Sequence, residues 1–461
     1  MADKRDLKIK KRKGADTQGE PSPMAWEDSA PKKKVRPKKK RAAKSRPVPE
    51  VPAGEDNTGA DEAQPGRRKK RRSSGVRLAV RVLAFLAAAA VVVTVWRNWD
   101  SLAPRNLVFW INQTFSSDGN GYPVEISGNS VLDMQQVQDY LVLLTDTSLV
   151  ALNAKGGEVM RRQHNFSDPI LMTAGKYMLV AELGGRRFRL ETMPETILNV
   201  TSDNLSADKK SEILDNKIEN PILSANVRAD GTVALITESS QSYTSEVLVY
   251  TPSGKLTYRQ QYATMLATDV ALSPDERDVA VAGIEAKDGE IQSLLRVHDL
   301  ESEETQPRKE YTGEGTMLCR VSYFAGGRLA AIGDTETWIV DAGGSLDERI
   351  SYEQNQLVGY TVGETMVGLA LQKYGSGDGG EVMRLDAGGQ ISYTAAFTGN
   401  FRHIYAQGSD FLLLTSGQLY QGDGTALSGG IDVQQDGRMA CILGNRAIVL
   451  GLTALSEYSL S

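Results

Sequence analysis

The chain has 461 residues and a formal net charge of −5, and this small value conceals two oppositely charged parts. Residues 1–81 carry 25 Lys and Arg against 11 Asp and Glu, a net of +14; the rest carries 28 against 47, a net of −19. The length allows a large core, and two cysteines are too few for a disulfide framework. Such a sharp charge split indicates that the two parts work in different surroundings.

Residues 1–75 are predicted to form a disordered basic tail. They hold few large apolar residues, so they cannot bury enough surface to offset the loss of chain entropy. The run "PKKKVRPKKKRAAKSR" at 31–46 favours electrostatic contact with anionic lipid. Contact with nucleic acid and a nuclear-localisation signal are the alternatives. Nucleic acid is disfavoured because no aromatic residues lie among the cations to stack on bases.

A single membrane-spanning helix is predicted over residues 76–97. Its uncharged centre, Val82–Trp96, is 15 residues long. Extension back to Val76 gives a helix of about 31 Å, which matches a hydrocarbon core of about 30 Å. Trp99 follows where an interfacial aromatic residue belongs. The alternative is a buried core helix.

The orientation of this span follows from the run "GRRKKRR" at 66–72, which directly precedes it, whereas few cations follow it. Cationic residues stay on the cytoplasmic side of a span. We therefore predict a single-pass protein of the cell membrane with a cytoplasmic N-terminus. A juxtamembrane linker over 98–121 would lead to an extracytoplasmic domain over 122–461.

A repeated pattern fills most of the acidic part of the chain. An apolar residue, a polar residue, a turn centred on Gly and a second apolar stretch recur, as in "LNAKGGEVM" at 152–160 and "LDAGGQISY" at 385–393. When the polar residue serves as a marker, the spacings are 38, 60, 48, 42, 45, 35 and 30 residues. The longest spacing holds residues 206–220, which we predict to be a short helical insertion. The markers are Asn153, Glu191, Thr251, Asp299, Asp341, Asp386, Gln421 and Gly451.

Each repeat also contains a continuous apolar run before its marker, such as "QDYLVLLTD" and "GSDFLLLTS". Such runs indicate strands that are buried on both faces. Each unit is therefore predicted to be one four-stranded blade of an all-β propeller. Eight markers predict eight blades, and seven is the alternative because the last two copies are short. The segment "YPVEISG" at 122–128 is predicted to close the ring by pairing with the last blade, as its outer strand or beside the C-terminal strand.

The segment "LVALNAKGGEVMRR" resembles the repeat of quinoprotein-like propellers, although Met160, Tyr258 and Tyr393 stand where that family has a docking Trp. "LSPDERDVAVAG" at 272–283 resembles the Ser-Pro-Asp turn of other bacterial, WD40-like propellers. The layout of basic tail, single span and acidic propeller resembles an uncharacterised family of membrane-anchored propellers from Gram-positive bacteria. That resemblance implies a fold and a location and implies no activity.

No cofactor or metal site is predicted. The three histidines, His164, His298 and His403, fall in blades one, four and seven, and no His or Cys spacing is typical of a zinc site. His298 with Asp299 is interpreted as a strand residue beside a turn residue; half of a nucleophilic triad is the alternative. The Gly-rich "YGSGDGGE" at 374–381 is interpreted as a hairpin loop rather than a phosphate or calcium loop.

The two cysteines are predicted to be small core residues with free thiols. Cys319 would lie in the first strand of blade five and Cys441 in the second strand of blade eight. Blades that far apart in a ring do not bring two Cα atoms within the limit of about 7 Å for a disulfide.

Long hairpins between the second and third strands of blades three, four and six are predicted to project from one end of the ring. Loops longer than a hairpin requires often carry function. The expected role is that of a non-catalytic binding or scaffold protein of the cell envelope, which recognises a protein or an envelope polymer. A quinoprotein-like or hydrolytic enzyme with its site in the channel is the alternative. The candidate partner-binding residues are Tyr243, Lys287, Lys373 and Tyr374.

Overall fold

The computed structural model describes residues 119–126, 131–200, 218–240, 242–302, 306–375 and 378–460. The predicted tail and the predicted span lie outside these residues, as do most of the predicted linker and of the insertion at 206–220. Within the described ranges, no helix has both the length and the apolar character that crossing a membrane requires.

Eight four-stranded antiparallel sheets make up the described part of the chain, and each sheet is one blade. This confirms the predicted eight-bladed propeller. The first strand, β1 (Val124–Glu125), belongs to blade eight. Blades one to four contain β2 (Val131–Val137), β3 (Tyr140–Thr145), β4 (Ser148–Leu152), β5 (Glu158–Gln163); β6 (Pro169–Ala174), β7 (Tyr177–Glu182), β8 (Phe188–Glu191), β9 (Thr196–Val200); β10 (Ile222–Val227), β11 (Val233–Ser240), β12 (Tyr243–Tyr250), β13 (Leu256–Tyr262); β14 (Leu266–Leu272), β15 (Asp278–Lys287), β16 (Glu290–Asp299) and β17 (Lys309–Glu314).

In blades five to seven, as in blades one to four, the chain runs through the four strands in order. Blade eight combines three C-terminal strands with β1. The remaining strands are β18 (Leu318–Phe324), β19 (Arg328–Gly333), β20 (Glu336–Val340), β21 (Leu346–Ser351); β22 (Asn355–Val362), β23 (Val367–Lys373), β24 (Gly380–Leu385), β25 (Ile391–Phe397); β26 (Phe401–Gln407), β27 (Asp410–Thr415), β28 (Gln418–Gly422), β29 (Ile431–Asp432); and β30 (Met439–Leu443), β31 (Arg446–Leu450) and β32 (Ala454–Ser459).

Five of the eight marker residues close the turn between the third and fourth strands of their blade with a side-chain oxygen. Asn153 Oδ1 accepts hydrogen bonds from the backbone N–H groups of Lys155 and Gly157, both at 2.9 Å. Asp386 Oδ1 accepts from Gly388 and Gln390 in the same way. A short polar side chain that bonds the backbone two to four residues on stabilises a tight turn, which explains why the pattern recurs.

In blade seven the marker was misplaced by two residues. Gln421 was predicted to be the turn residue, but Asp423 closes this turn, with its Oδ1 accepting from the N–H groups of Thr425 and Ala426. Gln421 lies in β28, where its own N–H bonds the Ser428 hydroxyl. β28 has five residues and Asp423 follows it directly, as Asn153 follows β4, so the turn of blade seven is equivalent to the others and the predicted marker lay inside the strand.

The core lies between neighbouring blades. The side chains of β15 alternate, so that Val279 and Val281 pack with blade three while Ala280 and Ala282 pack with blade five. Trp338 of β20, which is fully buried, belongs to the layer between blades four and five. Burial on both faces explains the continuous apolar runs of the sequence.

The ring closes through β1, as the sequence predicted. Val124 pairs with Leu455 and Glu125 with Ala454, so β1 is the outermost strand of blade eight, beside the C-terminal strand β32. The Ile126 N–H extends this pairing with a 2.8 Å bond to the Thr453 carbonyl. Val124 and its neighbours Tyr122 and Ile126 pack on the core shared by blades eight and one.

Blade eight differs from the prediction in its inner part. Cys441 was predicted to lie in the second strand, but it lies in β30, the strand at the inner end of that sheet. The cause is that Ile431–Asp432, the segment upstream, pairs with β28 as the outer strand of blade seven. The segment predicted to be the second strand of blade eight is therefore its first, innermost strand. The blade has three C-terminal strands, and β1 supplies the fourth.

The cysteines are both free, as predicted, but only Cys441 is a core residue. The prediction of a buried Cys319 was wrong, because this residue is exposed at a bulge where β18 shifts register between Leu318 and Arg320. A bulge adds a residue that no partner residue covers. Cys319 does lie in the first strand of blade five, as predicted.

Candidate binding face

The end of the ring at which the inner strands begin also carries the hairpins between second and third strands; we call it the hairpin face. Antiparallel order in every sheet places these features together. The hairpins of blades three, four and six, which follow Ser240, Lys287 and Lys373, therefore project from one face, as predicted. The Gly-rich segment at 374–381 begins directly after β23, and its last two residues begin β24, so its position between two paired strands agrees with the predicted hairpin loop.

The hairpin of blade four is long because its strands are long. The strands β15 and β16 have 10 residues each, whereas β19 and β20 of blade five have 6 and 5. Asp288 and Gly289 join the two strands with φ angles of 54° and 88°. Positive φ at both central residues is the geometry of the tight Asp-Gly hairpin turn, which keeps the strands paired to their tips.

The four candidate partner-binding residues are all on the hairpin face but differ in exposure. Lys287, Lys373 and Tyr374 are exposed, and the Tyr374 side chain is 89% accessible. Tyr243 is half-buried, and its hydroxyl accepts a hydrogen bond from Asn220 Nδ2 at 3.2 Å. These residues stay a prediction, because their positions alone show no partner.

Exposed apolar side chains concentrate on the same face, and sequence reasoning missed most of them. Ile291 is 60% exposed at the tip of the blade-four hairpin, and Met317 is 49% exposed just before β18. Leu452, which is 68% exposed in the turn between β31 and β32, lies on this face too, because β31 and β32 are the second and third strands of blade eight. On the opposite end, Ile391 is 47% exposed at the start of β25. The exposed large apolar residues of the hairpin face are Leu132, Leu223, Leu266, Ile291, Met317, Tyr374 and Leu452.

Two of these apolar residues are each held by a serine hydroxyl, at equivalent positions in neighbouring blades. Ser293 Oγ donates to the Thr316 carbonyl at 2.8 Å and accepts from the Leu318 N–H at 3.1 Å, so it brackets Met317. In blade three, Ser245 Oγ brackets Leu266 in the same way, through the Met265 carbonyl at 2.8 Å and the Ala267 N–H at 3.0 Å. The shared apolar-x-Ser spacing of "YTS" at 243–245 and "IQS" at 291–293 was the available sequence signal.

Register shifts near the start of the inner strands add further exposed residues to this face. Six inner strands shift register within their first four residues, and the extra residue is left without a partner residue opposite it. The extra residues Leu132, Leu223, Cys319 and Arg402 are exposed, and Thr268 and Val358 are half-buried.

An axial cavity of about 740 Å³ lies inside the ring. Its described lining comes from the inner strands of blades one to seven and includes no residue of β30. Several polar side chains contribute to this lining, among them Asp133, Asn226, Arg320, Tyr360 and His403.

Hydrogen bonds from side chain to backbone link neighbouring inner strands around this cavity. Asp269 accepts from the Ser224 hydroxyl at 2.7 Å and from the Val321 N–H at 2.8 Å, and it lies 3.6 Å from Arg320 Nε. Burial raises the pKa of Asp269, and the Arg320 charge and these hydrogen bonds oppose that rise. The buried Asp269 thus links three neighbouring inner strands and engages Arg320 of the cavity lining.

The three histidines make structural contacts. His298 is 1% exposed, and its Nε2 lies 2.8 Å from the Tyr262 hydroxyl beside a cleft between blades three and four. His403 Nδ1 accepts from the Ala440 N–H at 3.3 Å, and His164 Nε2 lies 3.1 Å from the Thr145 carbonyl. Burial lowers the pKa of all three, to about 4 for His298 and His403.

The alternative of a triad around His298 finds no support in its contacts. The Asp299 carboxylate accepts from the Glu301 N–H at 2.9 Å and lies 3.7 Å from Arg277 Nε, so it does not orient the His298 ring. Across the described ranges, no three His, Cys, Asp or Glu side chains are grouped as metal ligands.

The fold and this face define the class of protein as an eight-bladed, WD40-like β-propeller. The crystal structure of the C-terminal WD40 domain of Sif2 matches with a TM-score of 0.52 at 14% identity, covering 74% of this chain and 99% of that chain. The β-propeller domain of Myceliophteria thermophila Cps50 (Swd1) matches with a TM-score of 0.45 at 10% identity, covering 73% and 98%. Identities this low show a shared fold alone.

Residues 111–424 match DUF5711, a family of unknown function, and the chain belongs to that family. This match runs from β1 to β28, so it includes the outer strand of blade eight and the first three strands of blade seven, and the strands β29 to β32 lie beyond it. Among curated proteins, no relative matches the sequence. The resemblance to an uncharacterised propeller family is thereby confirmed, while membrane anchoring and a Gram-positive origin stay predictions.

Proposed function

We propose that this protein is a membrane-anchored, non-catalytic binding module of the cell envelope that recognises a protein partner through its hairpin face. The observation that carries the proposal is the exposure of Ile291 and Met317 in fixed positions on that face. Large apolar side chains that are held rigid and left exposed are typical of interface anchors. Propellers with WD40-like blades commonly bind proteins, and this general tendency supports a protein rather than a polymer partner.

The membrane anchor in this proposal rests on the sequence. The uncharged stretch Val82–Trp96 and the basic run before it support a span with the tail inside and the propeller outside. The basic tail would contact anionic lipid headgroups of the inner leaflet. The net charge of −19 on residues 82–461 would keep the propeller away from anionic surfaces.

The enzyme alternative is weaker because the polar groups of the channel already have structural partners. Asp269 and Arg320 are paired with each other, and His403 accepts a backbone hydrogen bond through Nδ1. A catalytic acid or base needs to be within reach of a substrate proton, and these groups are instead held against neighbouring strands.

Site-specific photo-crosslinking in the full-length protein tests the binding role. A benzophenone amino acid at position 291 reports on the hairpin face, and the same probe at position 391 reports on the opposite end, because Ile391 begins β25 directly after the turn between the third and fourth strands of blade six. Both positions hold exposed isoleucines, so they are matched in chemistry. We expect a discrete protein adduct at 291 and none at 391. Adducts at 391 alone would show that the hairpin face is not the binding surface.

A further inference from the structure

The tall hairpin of blade four and the low hairpin of blade five form an apolar step on the hairpin face. We call it the blade-four step, with Ile284, Ala286 and Ile291 as its wall and Met317 as its floor. Ala282 of blade four and Ile332 of blade five occupy equivalent positions, because each pairs with the first residue after the register shift of its inner strand. Blade four continues in paired strands to Lys287, whereas β19 ends at Gly333. Four extra residues of strand raise the wall by about 13 Å.

The wall faces blade five, and strand alternation shows this. Ala280 and Ala282 of β15 and Leu295 of β16 pack in the core with blade five. Residues at even steps from these share their side of the sheet. Ala286 and Ile291 are directly opposite each other in the ladder, so their side chains form one apolar surface at the tip.

The floor of the step is rigid. Ser293 Oγ holds the backbone on both sides of Met317, and the Met317 N–H donates to Asp334 Oδ1 at 2.7 Å. Ser293 is fully buried and lies on the same side of β16 as Ile291, two residues away. The Met317 side chain is nevertheless half exposed. The backbone is fixed while the thioether stays accessible, which suits a docking pocket for an apolar side chain.

The charges around the step are predominantly negative. Lys287 is the one cation of the β15–β16 hairpin tip, and it lies opposite Glu290 in the ladder. The blade-three side of the same tip carries Glu285, Glu290 and Glu314, since Gln292 pairs with both Glu285 and Glu314. Polyanions such as nucleic acid and anionic lipid would be repelled from this surface. The exposed carboxylates of the tip and of the neighbouring loops belong to Asp288, Glu290, Glu314, Asp334 and Glu353.

From this combination we infer that the blade-four step binds a cationic segment of a partner protein, with an apolar side chain of that segment inserted between Ile291 and Met317. The inference rests on the proposed binding role of the hairpin face and adds the chemistry of the partner. The apolar contact supplies the anchor, and Lys or Arg residues flanking it pair with the surrounding carboxylates. Charge complementarity of this kind raises the association rate and excludes acidic competitors.

Blade three repeats the arrangement on a smaller scale. Tyr243 stands two residues before Ser245, as Ile291 stands two residues before Ser293, and Ser245 brackets Leu266 as Ser293 brackets Met317. Leu266 is 39% exposed. Two such steps on neighbouring blades fit an extended segment with apolar residues at two places.

Crosslinking from position 291 in cells that carry the full-length protein tests this inference when it is combined with charge reversal. The test variant is Glu290→Lys with Glu314→Lys, which reverses two exposed carboxylates on the blade-three side of the hairpin whose other side forms the wall. The control is Asp139→Lys with Glu301→Lys, two exposed carboxylates on turns of the opposite end. Both variants change the net charge equally, and none of the four carboxylates makes a described hydrogen bond or ion pair.

We expect the crosslinked peptide to carry net positive charge near the attachment point. The adduct yield should fall at least about tenfold in the hairpin-face variant and stay within about twofold in the control. An acidic or uncharged captured segment, a lipid or glycan adduct, or an equal loss in both variants would overturn the inference. A neutral or acidic protein segment would still support the binding role of the face. No adduct at 291 would overturn both.

Discussion

The Tyr405 hydroxyl accepts a 3.1 Å hydrogen bond from the Gln136 N–H and so joins the inner strands of blades seven and one. Blade eight lies between these two blades in the ring, yet its strand β30 does not reach the described lining of the axial cavity. The Tyr405 side chain therefore reaches past blade eight and ties blade seven directly to blade one beside the cavity.

Replacement of Tyr405 with Phe should weaken this junction. The change removes one hydroxyl and leaves the Gln136 N–H without its acceptor, which should lower the free energy of unfolding by about 1–2 kcal/mol. Denaturant unfolding of the purified protein measures the effect. Tyr374→Phe is the matched control, because the Tyr374 side chain is 89% exposed and its loss of a hydroxyl should change nothing measurable. Equal stability of the two variants would show that the junction contributes little.

Acidification should destabilise the fold through His298. Burial lowers the pKa of His298 from 6.5 to about 4, with the nearby Arg296 charge acting in the same direction. Between these two values the unfolded chain binds the proton and the folded chain does not. The contribution of neutral His298 to the free energy of unfolding is therefore fully present above pH 6.5, and it is lost as the pH falls toward 4. The loss should amount to about 3 kcal/mol across that range.

The variant His298→Gln isolates this contribution, because Gln still offers an acceptor to the Tyr262 hydroxyl and does not titrate. The difference in unfolding free energy between the two proteins should shrink as the pH falls from 7 to 4. Asp269 acts in the opposite direction, since its raised pKa favours the protonated folded state, but this effect is common to both proteins and cancels. Parallel pH curves would contradict the assignment.

The two thiols should differ in reactivity in the native protein. Cys319 is exposed at its bulge, whereas Cys441 is buried, hydrogen-bonded to the Ile442 carbonyl at 3.4 Å, and has its pKa raised by burial to about 12. A maleimide added to the folded protein should modify Cys319 alone, and denaturant should release Cys441. Peptide mapping without reduction should find two free thiols. A 319–441 crosslink would contradict the arrangement of blades.

The repeat made the fold predictable because one physical requirement recurs in most blades. Asn153, Asp341 and Asp386 each close a Gly turn with a side-chain oxygen, and the apolar run before each is buried between two blades. The prediction failed where local pairing decides the outcome. The sequence of Ile431–Asp432 fits either the outer strand of blade seven or the inner strand of blade eight. In the structure this segment pairs with β28 and belongs to blade seven.

The candidate site was harder to predict because exposure depends on neighbouring blades. Hairpin length was visible in the sequence, so the exposed position of Lys287 at a hairpin tip could be predicted. Ile291 and Met317 look like ordinary strand residues, and they are exposed because the hairpin of blade five is too short to cover them. Cys319 was missed for a related reason, since a bulge is not visible in an alternating pattern.

The predicted topology can be tested by protease accessibility. The cationic run at 66–72 should keep residues 1–75 in the cytoplasm. Protease added to intact cells, or to protoplasts where a wall intervenes, should digest epitope tags at the C-terminus and spare tags at the N-terminus. Permeabilised cells, in which both tags should be lost, serve as the control. Cleavage of the N-terminal tag with a protected propeller would show the opposite orientation.

Closure of the ring by β1 should stabilise the whole propeller. Val124 pairs with Leu455, and its side chain packs on the core between blades eight and one. Gly156 in the turn of blade one lies against it, since a Cβ there would come within 2.3 Å of Val124 Cγ2. Deletion of residues 122–128 would expose this core and the edge of β32, so the unfolding temperature should fall by several degrees.

A point variant separates packing from pairing at this junction. Val124→Ala keeps the backbone bonds of β1 and removes the buried methyl groups, which should cost about 1–2 kcal/mol. Glu125→Ala is the control, because Glu125 is exposed and its side chain points away from the core. The expected order of thermal stability is the control first, then Val124→Ala, then the deletion. A protein that starts near residue 129 and unfolds at the same temperature as the full chain would show that blade eight needs no fourth strand.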